Sequence, residues 1–117
     1  MKQQIYLIED SRDTVGDAIF SRKFIEPKFT IKKINVITSN YHLNRTSEIF
    51  EFVYGENYIV NVIGVDVESP GGSDITEKKS LMQFRNTFSG IKKGDLSEIF
   101  NNMNKKHPFY NGEVFEK

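Results

Sequence analysis

The sequence predicts an α/β fold, a small three-layer Rossmann-like parallel sheet with helices on both faces, in a single domain over residues 1–117. Three apolar segments of strand length alternate with amphipathic helical segments, which is typical of βαβ units with right-handed crossovers. A hydrophobic content of 38%, with ten Phe, is enough for one core. Parallel strands are normally covered on both faces and flanked by other strands, so we expect an exposed edge of this small sheet to pair with another chain.

The first half of the chain predicts two strands with a helix between them. Residues 4–9 contain four consecutive apolar residues and are bounded by the polar segment 10–13, which favours a strand. Thr14 suits the N-cap of the following helix, and Pro27 ends that helix or its loop. Residues 33–38 form the second strand. The carboxyl ends of both strands then lie at the same edge of the sheet.

The second half continues the alternation. A helix over about 40–54 ends at Gly55, and a third strand covers 58–66. The next helix is expected to begin with a capping box of Asp74 and Glu77 and to repeat four apolar residues at helical spacing: Leu81, Phe84, Phe88 and Ile91. A last helix begins in the same way at Asp95 and Glu98, and the tail from His107 ends it.

Composition narrows the function classes. Sixteen acidic residues balance sixteen basic ones, so no basic excess supports binding to nucleic acid or to a membrane surface. The chain has no cysteine, which excludes disulfides and thiolate metal sites. No apolar run has the length of a membrane span or a signal peptide. A cytoplasmic protein is therefore the expectation.

The segment that joins the second strand to its helix is rich in groups that bind or react. Thr38 and Ser39 end the strand, and His42 and Arg45 stand three residues apart on the first helical turn. An arginine beside free backbone N–H groups favours a phosphate or carboxylate, and a histidine serves as a general acid or base. The alternative is that Ser39 or Asn40 caps the helix and the two basic residues are ordinary surface groups.

The segment after the first strand supplies further polar groups. Glu9 and Asp10 could orient the histidine as catalytic carboxylates, pair with the arginine, or bind a divalent cation. Ser11, Asp13 and Thr14 would give hydrogen bonds to a ligand. The alternative is a capped turn with solvated charges. We assign none of these residues as metal ligands in the expected site.

These two segments, Glu9–Ala18 and Ile37–Thr46, resemble the motifs of the YdcF-like family, a domain of unknown function shared with the SanA and ElyC proteins. The family shows an acidic residue followed by Ser, Asn-Thr and Glu-Asn, and then Val-Thr-Ser-x-x-His-x-x-Arg-Ala. Asp13 and Asp17 stand where the family has asparagines. The resemblance covers about residues 5–66 and implies that Thr38, Ser39, His42 and Arg45 form a site. It allows S-adenosylmethionine as a cofactor, and it implies that the N-terminal part of the family domain, with its glycine-rich loop, is missing.

Two functions follow as hypotheses. The first is a small-molecule-binding domain, an enzyme acting on a phosphorylated or otherwise anionic ligand, with Arg45 holding the anion and His42 transferring a proton. The second is a non-catalytic or truncated interaction module that needs a partner chain. In both cases we expect a homo-oligomer, or a partner that supplies the missing N-terminal half, because an exposed sheet edge favours pairing.

Overall fold

The structure is a computed structural model that describes residues 13–27, 30 and 32–106. It is a mixed α/β fold, in agreement with the class predicted from the sequence. Its elements in chain order are α1 (Thr14–Ile25), β1 (Lys33–Ser39), a 3₁₀ turn (Asn40–His42), α2 (Leu43–Tyr54), β2 (Ile59–Val65), α3 (Ser73–Thr87) and α4 (Leu96–Lys106). The predicted strand over 4–9 lies outside the described residues, and so do Glu9, Asp10 and Ser11.

The two described strands form a parallel sheet, with the register running from Lys33 opposite Ile59 to Ser39 opposite Val65. Burial alternates along both strands, as the period of two predicts. One face, which includes Ile34, packs against the helices. Within the described residues the other face stays open, and three of its isoleucines are about half exposed or more: Ile37, Ile59 and Ile63. The described part is thus a two-stranded sheet with helices packed on one face.

The core lies between the sheet and the four helices. Helix α2 is the central element, since it packs against β2, α1, α3 and α4. Its apolar stripe is buried as its spacing predicts, and the largest fully buried side chains come from α1, α2 and α4: Tyr54, Ile19, Ile49, Ile99, Met103 and Val53. None of the helices in the described ranges is long and apolar enough to span a membrane.

Two glycines allow the end of α2 to meet the loop before α4. Gly55 ends α2 and has a φ of +76°, and Gly94 has a φ of +81°. A Cβ on Gly94 would lie 3.0 Å from the Cα of Gly55, so this approach has no room for a side chain. The Gly94 amide donates to the carbonyl of Phe52 at 2.8 Å. Arg22 of α1 ties the junction together by donating at 2.7 Å to the carbonyls of both Val53 and Gly94.

The cap expected for α1 is displaced by one residue. Asp13, and not Thr14, is the N-cap, and its carboxylate accepts a hydrogen bond from the Gly16 amide at 2.8 Å. The displacement leaves the Thr14 side chain on the first helical turn instead of engaged with the backbone. In that position Thr14 Oγ1 accepts a hydrogen bond from Arg45 Nη1 at 3.3 Å.

The capping box expected for α3 is wrong. The helix begins after Gly72, whose φ is +78°, and no side chain caps it. Glu77 does not turn back to the helix end because it is held by two residues of another segment. Helix α3 ends at Thr87, so Phe88 and Ile91 follow it. The start of α4 is as predicted, with the Glu98 amide donating to Asp95 Oδ1 at 3.2 Å.

Candidate functional site

Three side chains meet beyond the carboxyl end of β1, and we call them the His42–Arg45–Glu77 cluster. One carboxylate, that of Glu77, contacts Nδ1 of His42 and accepts from Nε of Arg45. Nη2 of Arg45 lies 3.1 Å from Glu77 Oε1 and 2.9 Å from His42 Nδ1. The fork of the guanidinium thus grips the carboxylate with two of its nitrogens, which fixes both groups in one plane.

The local structure explains how the cluster forms. The 3₁₀ turn that follows β1 carries His42, and the first turn of α2 carries Arg45 three residues later, so both point to one side. The beginning of α3 packs against this same turn. Glu77 therefore reaches the two basic residues from helix α3, which starts 31 residues after His42 and 28 after Arg45.

The contacts of His42 show which of its ring nitrogens is held and which is open. Its Nδ1 faces both Glu77 and Arg45, and a neutral ring that donates from Nδ1 to the carboxylate carries its lone pair on Nε2. Within the described residues, Nε2 has no hydrogen-bond partner, and the side chain is 34% exposed. A histidine held by a carboxylate on one nitrogen, with the other nitrogen open to solvent, is arranged to take up or release a proton.

The electrostatics of Glu77 agree with this arrangement. Burial alone would raise the pKa of its carboxyl, but the hydrogen bonds from Arg45 and His42 outweigh burial and hold the pKa below its usual value of 4.5. Glu77 is therefore ionised at neutral pH, and its carboxylate orients His42.

A cleft of about 410 Å³ adjoins the cluster. Arg45 belongs to both, and its Nη1 also donates to Thr14 Oγ1 at 3.3 Å. The cleft lies between the start of α1, one face of α2, the second half of α3 and the end of α4. Its lining residues are Asp13, Thr14, Val15, Arg45, Ile49, Ser80, Gln83, Phe84, Asn86, Thr87 and Lys106. Its size is within the range of about 300–1,000 Å³ that small-molecule sites occupy.

The structure brings together some of the residues that the sequence analysis selected. His42 and Arg45 are in contact, and Thr14 and Asp13 line the cleft beside them. Asp13 also caps α1, so its carboxylate is partly engaged by the backbone. Thr38 and Ser39 end β1 as expected, but among the described contacts neither bonds to the cluster or lines the cleft. Glu9, Asp10 and Ser11 fall outside the described residues.

The sequence analysis missed Glu77 as a functional residue. Its position three residues after Asp74 favoured a capping role, and that explanation hid a second property. Glu77 stands on the first turns of the helix that follows β2, and parallel strands bring such turns to the same edge of the sheet. An unpaired acidic residue there was the available signal for a partner of His42 and Arg45.

Comparisons with models of known families, with curated proteins and with solved structures found no match to this chain. The chemistry of the site is therefore argued from the residues themselves. Among the described residues, no group of three or more His, Cys, Asp or Glu side chains could hold a metal ion. What the cluster offers is a proton-transfer group, a cation and an ionised carboxylate beside a cleft.

Proposed function

We propose that this chain is a small-molecule-binding α/β domain that acts as an enzyme on a phosphorylated or otherwise anionic compound. The observation that carries the proposal is the single carboxylate of Glu77, which holds both His42 and Arg45, and Arg45 also lines the cleft. The proposal includes a larger, three-layer Rossmann-like sheet around β1 and β2. It also includes membership of the YdcF-like family, which rests on the motif resemblance alone.

The anion would bind where β1 passes into α2. The 3₁₀ turn and α2 have no side-chain cap and no acidic residue in their first turns. Their leading backbone N–H groups and the positive end of the helix dipole thus favour an anion. Arg45 adds a charge whose direction Glu77 fixes, and its Nη1 points to the cleft residue Thr14. Thr38, Ser39 and Ser11 remain predicted hydrogen-bond partners of the ligand.

His42 would transfer the proton. Glu77 supplies among the described residues the orienting carboxylate that the sequence analysis assigned to Glu9 or Asp10. With Nδ1 held, Nε2 is the atom that would accept a proton from a nucleophile, or donate one to a leaving group. A ring that gains charge in this step is stabilised by the adjacent carboxylate.

The described residues give no support to S-adenosylmethionine in the cleft. Adenine rings commonly lie against apolar or aromatic side chains, and the one aromatic lining residue, Phe84, is 7% exposed and packed against Phe52 and Phe88. We derive no step through this cofactor.

A second candidate function is an interaction module. The observation that favours it is the open face of the sheet, where Ile37 is 71% and Ile59 is 61% exposed. Large apolar side chains grouped on one face are typical of surfaces that meet another chain. In a homo-oligomer a second copy of this chain would cover the open face, and otherwise a partner chain would cover it.

A pair of arginine variants tests the first proposal. Arg45→Met and Arg85→Met each remove an arginine that grips a glutamate with two nitrogens, since Arg85 binds Glu48 in the same manner outside the cleft. Calorimetric titration of the full chain with inorganic phosphate and a panel of phosphate monoesters should show saturable binding. We expect Arg45→Met to weaken it at least about tenfold and Arg85→Met to leave it unchanged.

A histidine variant tests catalysis separately. His42→Asn should bind the best compound with an affinity near that of the wild type but should lose its turnover. The proposal is overturned if no anionic compound binds the wild type, or if both arginine variants bind alike. Retained turnover in His42→Asn would remove the catalytic role. A monomer in light scattering at micromolar concentration would count against the interaction module.

A further inference from the structure

One face of α3 runs from the cluster along the wall of the cleft. Ser80, Gln83, Phe84 and Thr87 line the cleft at helical spacing, and Glu77 precedes them by one turn on the same face. We call these five residues the α3 stripe. Arg45 belongs to both the cluster and the cleft, so a ligand bound at Arg45 can also extend along α3.

The stripe runs along most of α3. Ten residues separate Glu77 from Thr87, which corresponds to about 15 Å along a helix. Arg45 stands at the near end, and Lys106, in the last turn of α4, lines the same cleft. Inorganic phosphate has a single anionic group, whereas a molecule with an anionic group at each end offers one to each of these two cations.

The wall of the cleft carries hydroxyl and amide side chains as well as the cations of Arg45 and Lys106. Ser80 is half-buried and Gln83 is exposed, and within the described part of the chain neither side chain has a hydrogen-bond partner. Asp13 and Thr14 face them from α1 and add acceptors and a hydroxyl. Hydroxyl, amide and carboxylate groups of this kind bind the hydroxyls of a ligand.

The apolar part of the cleft argues against a planar ring. Val15 and Ile49 are buried and aliphatic, and Phe84 meets Phe52 edge to face with ring centres 5.5 Å apart. None of the three offers an exposed aromatic face on which a nucleobase could stack. A body made of hydroxyl-bearing carbons is favoured instead.

We propose that the cleft binds a phosphorylated polyhydroxy compound, such as a sugar phosphate, with a second anionic group at its far end. The inference rests on the proposed function, because the first phosphate lies at Arg45 and His42. The hydroxyls bond to Ser80 and Gln83, and the second anionic group lies at Lys106.

Four probes test the class of ligand by titration calorimetry of the full chain: fructose 1,6-bisphosphate, fructose 6-phosphate, adenosine 5′-monophosphate and inorganic phosphate. We expect fructose 6-phosphate to bind at least about tenfold more tightly than inorganic phosphate, and the bisphosphate more tightly again. Adenosine monophosphate should bind no more tightly than inorganic phosphate. A nucleotide that binds more tightly than both sugar phosphates would overturn the inference.

Matched variants locate the contacts. Ser80→Ala with Gln83→Ala should weaken fructose 6-phosphate about tenfold and leave inorganic phosphate unchanged, whereas Met82→Ala, on the exposed side of α3, should change neither. Lys106→Gln should abolish the advantage of the bisphosphate, and Lys105→Gln, its exposed neighbour outside the cleft, should preserve it.

The two proposals fail in different ways. Phosphate binding that depends on Arg45, without any gain for the sugar phosphates, overturns this inference and leaves the proposed function standing. The absence of binding by every phosphorylated probe overturns this inference, and the absence of binding by any anionic compound overturns both.

Discussion

Replacement of Glu77 by glutamine measures how strongly the cluster is held. The side chains of Glu77 and Arg45 are only 15% and 18% exposed, so their pairing is largely protected from solvent. Glu77→Gln keeps the shape of the residue but removes its charge and leaves Arg45 partly buried without a counter-ion. Glu48→Gln is the matched control, because Glu48 and Arg85 form the same kind of pair with side chains 38% and 58% exposed.

The expected magnitudes differ because the exposures differ. A hydrogen bond to a charged group contributes about 1.5–3 kcal/mol, and loss of one partner of a fully buried pair costs about 3–5 kcal/mol. Since the cluster is partly exposed, we expect Glu77→Gln to lower the free energy of unfolding by about 2 kcal/mol. An exposed pair contributes about 0–1 kcal/mol, so Glu48→Gln should change little.

Urea unfolding at pH 7, followed by far-ultraviolet circular dichroism, compares the two variants with the wild type. The depressed pKa of Glu77 gives the pH dependence: its contribution is present above the ordinary pKa of 4.5 and is lost as the pH falls through the lower folded-state value. The difference between wild type and Glu77→Gln should therefore shrink as the pH falls below 4.5. Equal losses in both variants at pH 7, or a difference that does not change with pH, would refute the reasoning.

Three further predictions concern the core and the α2 junction. Gly94→Ala should lower the free energy of unfolding by more than Gly90→Ala, because both have positive φ but only Gly94 meets backbone within 4 Å; urea unfolding of the two variants measures the difference. Burial raises the pKa of Tyr54 to about 12. The contribution of Tyr54 to stability is therefore complete below its unfolded-state pKa of about 10 and should be lost as the pH rises from about 10 to about 12. Tyr54→Phe should remove this loss of stability at high pH. At pH 7 it should lower the free energy of unfolding by about 1 kcal/mol, because the hydrogen bond to Ser21 is lost. Unfolding curves at neutral and alkaline pH check both effects. Arg22→Met should lower the melting temperature by several degrees in calorimetry, because two backbone carbonyls lose their donor; an unchanged melting temperature would contradict the assigned bonds.

Local periodicity was sufficient to predict the central part of the fold. The bounds of β1 and β2 agree with the predicted strands to within one residue at each end, and α2 ends at Gly55 as expected. Alternation with a period of two and apolar spacing near 3.6 are properties of neighbouring residues, so they are visible without tertiary information. β1 and β2 pair in parallel because the chain crosses from one to the other through α2. The strand–helix–strand order that predicts this crossover is also visible in the sequence.

Helix starts were predicted less well, because several residues compete for the same backbone donors. Asp13 and Thr14 both suit an N-cap, and in the structure Asp13 has the extended backbone and the side-chain bond of the cap. Asp74 and Glu77 match the capping-box spacing, but the tertiary partners of Glu77 gain more from its carboxylate than the helix end does.

In the functional site, too, local spacing predicted one part and tertiary contacts decided the other. The sequence by itself determined that His42 and Arg45 share one side of a helix start, because a spacing of three residues fixes this locally. Only the tertiary structure decided that Glu77, which is 35 residues from His42, holds both of them, and that α1, α3 and α4 enclose a cleft beside them. The physical reason is the packing of α3 against the 3₁₀ turn, a contact between distant segments that no local pattern encodes.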